Sequence, residues 1–187
     1  MGRAFTHLGD EPVVDGWRIR LVKARFEAPD GTRFERDVVR HPGAVAVVPV
    51  TDDGNVLLVR QYRGPIDTEL LEIPAGTRDV EGEAPEVTAA RELAEEVGVR
   101  ARDLRLLVTM LNSPGFCDER TWLYLATGLE VCSGERAGIE EQHMEIVELP
   151  LAAVDDLVAT GVLCDGQTVL GLLMARDVLG LGTTPGR

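Results

Sequence analysis

Cysteine is scarce in this 187-residue chain, and its pattern excludes two architectures. Cys117, Cys132 and Cys164 are an odd number, lie far apart and form no CxxC pair. A disulfide scaffold uses an even, dense set and a structural zinc site uses paired thiols, so neither is expected and the chain reads as reduced and cytoplasmic. Basic clusters are missing too. Nineteen Lys and Arg stand against 32 acids, a formal net charge of −13, whereas binding a nucleic-acid backbone calls for a basic stripe; no nucleic-acid partner is expected. No run approaches the roughly eighteen apolar residues of a spanning helix, so no membrane partner is expected. The opening MGRAFTHLGDEP lacks the apolar stretch of a signal peptide. What remains is an ordinary globular composition, 44% hydrophobic and 27% charged, long enough for one sizeable domain or a domain with a small appendage. A chain this acidic attracts an anionic ligand by some means other than bulk charge, and a bound divalent cation is one such means.

Repeats and low-complexity linkers are also absent. GWRIRLVKARFE and RFERDVVR alternate apolar and polar residues around APDGT, a hairpin whose glycine accepts the positive φ of the turn. VAVVPV (45–50) and VLLVRQY (56–62) flank TDDGN as a second hairpin, and ELLEIP (69–74) is a third strand ending at Pro74. A helix is expected after Glu83, with Pro85 in its first turn, Glu86 at its positive end and Gly98 as its stop. Val87, Ala90, Leu93, Ala94 and Val97 recur at helical spacing as its apolar stripe. Strands are expected at 104–112, 120–127 and 143–149 and helices at 151–160 and 166–179. Strands with interspersed helices predict an α/β or α+β sheet covered by helices.

The helix carries an unusual charge pattern. At about 100° per residue, Glu92, Glu95 and Glu96 fall opposite Val87, Ala90, Ala94 and Val97. A solvated polar face is the ordinary use of such residues. Like charges three and four apart, however, cost about 0.2–0.5 kcal/mol each, and only Arg91 is near to compensate. The preceding loop PAGTRDVEGE adds Glu83 and a glycine turn. Carboxylates beside a free carbonyl suit Mg²⁺, a hard cation that works with substrate phosphates.

Gly76, Glu83, Arg91-Glu92-Leu93, Glu95-Glu96, Gly98 and Val99 together resemble the Nudix box, G-x5-E-x7-R-E-U-x-E-E-x-G-U, where U is a bulky aliphatic. The spacing departs once: six residues, not five, separate Gly76 from Glu83. The likeness extends over about residues 13–179. It points to the ADP-ribose pyrophosphatase branch through RQYRGP before the box, SPGF (113–116) after it and a β segment ahead of the core. The resemblance implies a Nudix-type α/β/α sandwich with a mixed sheet, an N-terminal antiparallel β segment over 1–42 and a hydrolase domain over 43–187. It also implies a homodimer in which the β segments exchange.

Carried over by resemblance, the Ala75 carbonyl, Glu92 and Glu96 are the main ligands of Mg²⁺ (or Mn²⁺), with Glu95 assisting. Arg91 orients Glu83 or a neighbouring glutamate, and Gly76 opens the loop. Arg63 meets the ribose-phosphate side of the substrate. Trp17 and Phe34 stack on adenine, one from each subunit, and Glu35 accepts from the adenine amino group. Strand-face packing is the other role open to Trp17 and Phe34, and a surface ion pair the other role open to Arg63. In SGERAGIEEQHMEIVELP, Glu141 is the expected base with Glu140 second, while His143 is held to be a surface residue.

The resulting expectation is metal-dependent hydrolysis of ADP-ribose to AMP and ribose 5-phosphate. Another nucleoside diphosphate sugar, such as an ADP- or GDP-hexose, is an alternative substrate. A non-catalytic nucleotide-binding regulator is the reading from another class; it fits less well because Glu92, Glu95 and Glu96 are intact.

Overall fold

The computed structural model describes residues 4–133 and 143–181. They fall into two compact units: Met1–Gly43 with Leu111–Arg120, and Ala44–Met110 with Thr121–Arg187.

The first unit is built on three antiparallel strands in the order β1 (Thr6–Asp15), β2 (Arg20–Glu27), β3 (Arg33–Arg40). The β2–β3 hairpin is the one expected at APDGT, and its register sets Phe26 opposite Phe34. Strand β1 was not expected. Its pairing shifts register at His7/Gly9 and again at Pro12/Val14, so glycine and proline are accommodated as irregularities of an outer strand, and its alternation is scrambled. The Leu111–Arg120 segment joins this unit by backbone bonds between Val39 N–H and Phe116 O (2.7 Å) and between Asp118 N–H and Val39 O (3.2 Å).

The second unit holds two sheets. One has the order β7 (Ala75–Thr77), β4 (Ala44–Pro49), β9 (Arg120–Val131), β8 (Val99–Leu111); the other is β10 (Glu145–Pro150), β5 (Asn55–Arg63), β6 (Thr68–Glu72). The first is mixed, since β4 runs parallel to β9 and antiparallel to β7. The TDDGN turn forms, but β4 and β5 share only the Val50–Val56 bridge before entering different sheets. The expected second hairpin is therefore a corner between sheets rather than a ladder.

Alternation along β4 explains the layering. Val45 and Val47 pack with Ala89, Leu93 and Val97, which belong to helix α1 (Pro85–Glu92) and the π turn Leu93–Val97 after it. Ala46 and Val48 point the other way. They enter a cluster with Val154 of a short helix α2 (Val154–Ala159) and with Leu172 and Ala175 of helix α3 (Gly166–Val178). Both faces of the strand are apolar because both are covered, as in an α/β/α sandwich. Pro85 begins α1 and Gly98 ends the π turn at φ 71, as expected from a residue without a Cβ.

The expected apolar stripe of α1 needs correction. Val87 is 53% exposed and Ala90 is also exposed, whereas Thr88, Ala89, Glu92, Leu93, Glu96 and Val97 are buried. Within α1 the inward face runs through Thr88, Ala89 and Glu92, one position round from the expected stripe, and the wider π turn after Glu92 brings Glu96 and Val97 onto that same face. Two of the three clustered glutamates face inward.

Candidate functional site

The geometry of the acidic site starts at Gly76. A Cβ there would overlap the Glu92 carboxylate, so glycine leaves room for that side chain to turn in against β7. One helical turn later, Glu96 Oε2 accepts a hydrogen bond from Ala75 N–H at 2.9 Å. Glu92 is 7% and Glu96 3% exposed. Both sit where β7 meets the helix, beside the Ala75 backbone.

Arg91 gathers the remaining carboxylates. Its Nη1 lies 2.9 Å from Glu92 Oε1 and 3.0 Å from Glu95 Oε2; its Nη2 lies 3.6 Å from Glu83 and 3.7 Å from Asp79. Arg91 is thus ion-paired with Glu83 but hydrogen-bonded to Glu95, one of the neighbours. Burial disfavours its charge, yet Glu92, Glu95 and Glu83 outweigh that and hold the guanidinium above its ordinary pKa. One cation serves four carboxylates, with Glu96 a fifth nearby.

These residues fit a hard divalent cation by donor chemistry, since every side chain on offer supplies oxygen. Among the described residues Glu83 Oε2 is buried without a hydrogen-bond partner, and the absence of a Cβ at Gly76 leaves room for Glu92 against the β7 backbone. Among the described residues no three His, Cys, Asp or Glu side chains already stand in coordinating geometry; Glu92 and Glu95 lean on Arg91 and Glu96 on the Ala75 amide.

Arg63, at the end of β5, reaches along the β5–β6 pair to Glu72. Its Nε and Nη2 lie 2.9 and 2.7 Å from Glu72 Oε2. Glu72 is 3% exposed. Burial pushes its carboxyl above the ordinary carboxylate range; the hydrogen bond and charge of Arg63 pull the other way, and Asp165 adds a further upward push. Glu72 escaped notice in the sequence because ELLEIP reads as a strand in which a glutamate marks a solvent face.

The aromatic candidates belong to the first unit. Trp17 occupies the β1–β2 turn, 91% exposed, with the Arg18 guanidinium 4.6 Å from its ring centre, so it is not packed in a strand face among the described residues. Phe34 stacks on Phe26 at 5.4 Å and 21°, meets Phe5 edge-on at 6.0 Å, and has Arg36 4.8 Å over its ring. These side chains line a cavity of about 730 Å³ with Arg40 and Phe116, the last from the expected SPGF stretch. Glu35 projects from the opposite face of β3, exposed and 3.9 Å from Lys23. Glu140 and Glu141 lie outside the described residues, and His143 is exposed.

Residues 40–169 match the NUDIX domain family. The chain is 38% identical over 165 residues to the ADP-ribose pyrophosphatase of Bacillus subtilis (strain 168), covering 88% of this chain and 89% of that protein. It is 38% identical over 174 residues to the ADP-ribose pyrophosphatase of Mycobacterium tuberculosis, covering 93% and 84%. A crystal structure of an ADP compounds hydrolase superposes with a TM-score of 0.82 at 27% identity, covering 96% of this chain and 97% of that one.

Proposed function

The chain belongs to the Nudix family, and from that premise we propose that it hydrolyses the diphosphate of ADP-ribose, with water, to AMP and ribose 5-phosphate. One observation carries the chemistry: α1 closes on β7 so that Glu92 and Glu96 turn inward beside Ala75 while Arg91 pairs with Glu92, Glu95 and Glu83. The substrate is supported by the two pyrophosphatases and the ADP compounds hydrolase that this chain resembles.

In this reading Glu92, Glu96, the Ala75 carbonyl and Glu95 hold a divalent cation, Mg²⁺ or Mn²⁺. Such a cation neutralises diphosphate charge and lowers the pKa of water. Arg91 keeps the carboxylates from repelling one another apart and fixes their directions. Arg63, its Nε–Nη2 edge held by Glu72, presents the rest of its guanidinium to the phosphate nearer the ribose. Glu141, with Glu140 second, would take the proton of the attacking water. The water oxygen bonds to one phosphorus as that phosphorus's bond to the bridging oxygen breaks, so AMP leaves if the ribose-side phosphorus is attacked and ribose 5-phosphate leaves if the adenosine-side phosphorus is attacked. Trp17 and Phe34, one from each subunit, stack on the adenine, and Glu35 accepts from its amino group. That arrangement needs a homodimer, which the exposed apolar side chains of the first unit support: Val13 and Val14 are 52% and 57% exposed.

The test is a substrate panel of ADP-ribose, ADP-glucose and GDP-mannose with Mg²⁺, products separated by chromatography. AMP and ribose 5-phosphate from ADP-ribose, stopped by chelator, are expected. Preference for a hexose nucleotide would keep the chemistry and replace the substrate; no turnover alongside tight nucleotide binding would favour the regulator reading.

A further inference from the structure

The loop between β7 and α1 is one residue longer than the box pattern, with six residues between Gly76 and Glu83. An added residue widens the range of conformations a loop can sample, yet Glu83 must stay beside Arg91 for the carboxylate cluster to keep its shape. Two backbone bonds brace the loop locally, Asp79 N–H to Thr77 O at 3.0 Å and Glu83 N–H to Val80 O at 3.2 Å. Neither ties the loop to the rest of the fold.

Arg78 does. Its guanidinium lies 4.6 Å from the ring centre of Trp122 on β9, and its Nη2 donates to the Glu83 carbonyl at 2.7 Å. One side chain at the start of the loop therefore grips its last turn and pins it on a rigid aromatic platform in the central sheet. The guanidinium suits both contacts at once: its delocalised charge lies over the ring while Nη2 donates to the carbonyl. Lysine offers a point charge without that geometry. From Glu83 the connection runs to Arg91 Nη2 at 3.6 Å, and through Arg91 Nη1 to Glu92 and Glu95.

We infer that Arg78, lying over the Trp122 ring, is a positioning residue for the acidic site: it holds the lengthened loop so that Glu83 stays on Arg91 and the carboxylates stay poised for a cation. This inference rests on the proposed cation-dependent reading of that site. It predicts that the site loosens when Arg78 is replaced, the effect passing through Glu83 and Arg91.

The experiment compares wild type, Arg78→Ala, Arg78→Lys and Trp122→Phe. Mn²⁺ binding is measured by electron paramagnetic resonance without substrate, and amide hydrogen exchange across residues 77–83 in metal-free protein. Arg78→Ala is expected to weaken Mn²⁺ binding about tenfold and to speed exchange in the loop, with KM for substrate at saturating metal within about twofold of wild type. Arg78→Lys should recover only part of the loss, while Trp122→Phe, which keeps a flat aromatic face, should stay near wild type; circular dichroism of each variant checks that it folds. Folded Arg78→Ala with wild-type Mn²⁺ affinity and loop exchange would overturn the inference alone. A wild-type protein that binds no Mn²⁺ would overturn the cation reading and this inference with it.

Discussion

Arg63 and Glu72 show how much a single pair can carry. Glu72 is buried and its ionisation is tolerated because Arg63 bonds it through two nitrogens. Removing the guanidinium leaves a buried carboxylate without that partner, which costs about 1–3 kcal/mol at neutral pH. The pH dependence has a definite sign. A carboxyl whose pKa in the folded chain exceeds its unfolded value binds protons more tightly when folded, so its stabilising effect is complete at low pH and disappears as pH rises through the folded pKa. Glu72 already lies above the ordinary range, and Arg63→Ala removes both effects that lower it. Denaturant unfolding from acid to neutral pH should therefore show the variant closest to wild type in acid and falling behind as pH rises. A gap independent of pH would mean that Glu72 finds another partner. In the wild-type protein the pair also holds one edge of Arg63 in place, which is what an anion-binding arginine requires.

At the scale of elements, the site depends on how α3 is fastened to the strand end before the box. Asp165 caps the helix, accepting from Thr168 N–H at 2.8 Å and from Thr168 Oγ1 at 2.6 Å. Thr168 Oγ1 in turn accepts from Ile73 N–H at 3.1 Å in a fully buried setting. A helix cap and a strand terminus thus share one hydroxyl, two residues before Ala75. Thr168→Val keeps the shape but leaves the Ile73 amide unsatisfied, and should cost about 1–3 kcal/mol, read as a lower denaturation midpoint. Thr168→Ser, which restores the hydroxyl, should recover most of it. The elements themselves were largely legible in the sequence. Hairpin β2–β3, strands β5, β6, β9 and β10 and helix α3 follow from apolar period and turn residues. Strand β1 was not, because Gly9 and Pro12 break its pattern and its pairing with β2 comes from tertiary context. The separation of β4 from β5 was not either, since a turn motif reports chain reversal and says nothing about which sheet each arm joins.

At the scale of the whole molecule, a chain of net charge −13 that works on an anionic diphosphate relies on locally placed positive charge. Arg63, Arg91 and a divalent cation are the proposed sources. The proposed pairing of two chains belongs to this scale as well: light scattering should give twice the 20.3 kDa chain mass, and a monomer at micromolar concentration would leave Trp17 and Phe34 without the second subunit that the adenine reading needs. By itself the sequence determined the family, the box and the residue types of the acidic site, because spacing along a helix and the identity of oxygen donors are local properties. Tertiary structure alone decided that Glu92 and Glu96 point inward and that Arg63 is bound to Glu72. It also decided that Arg78 rests on Trp122. Each of these joins residues on different elements, through burial and close approach that no local period encodes.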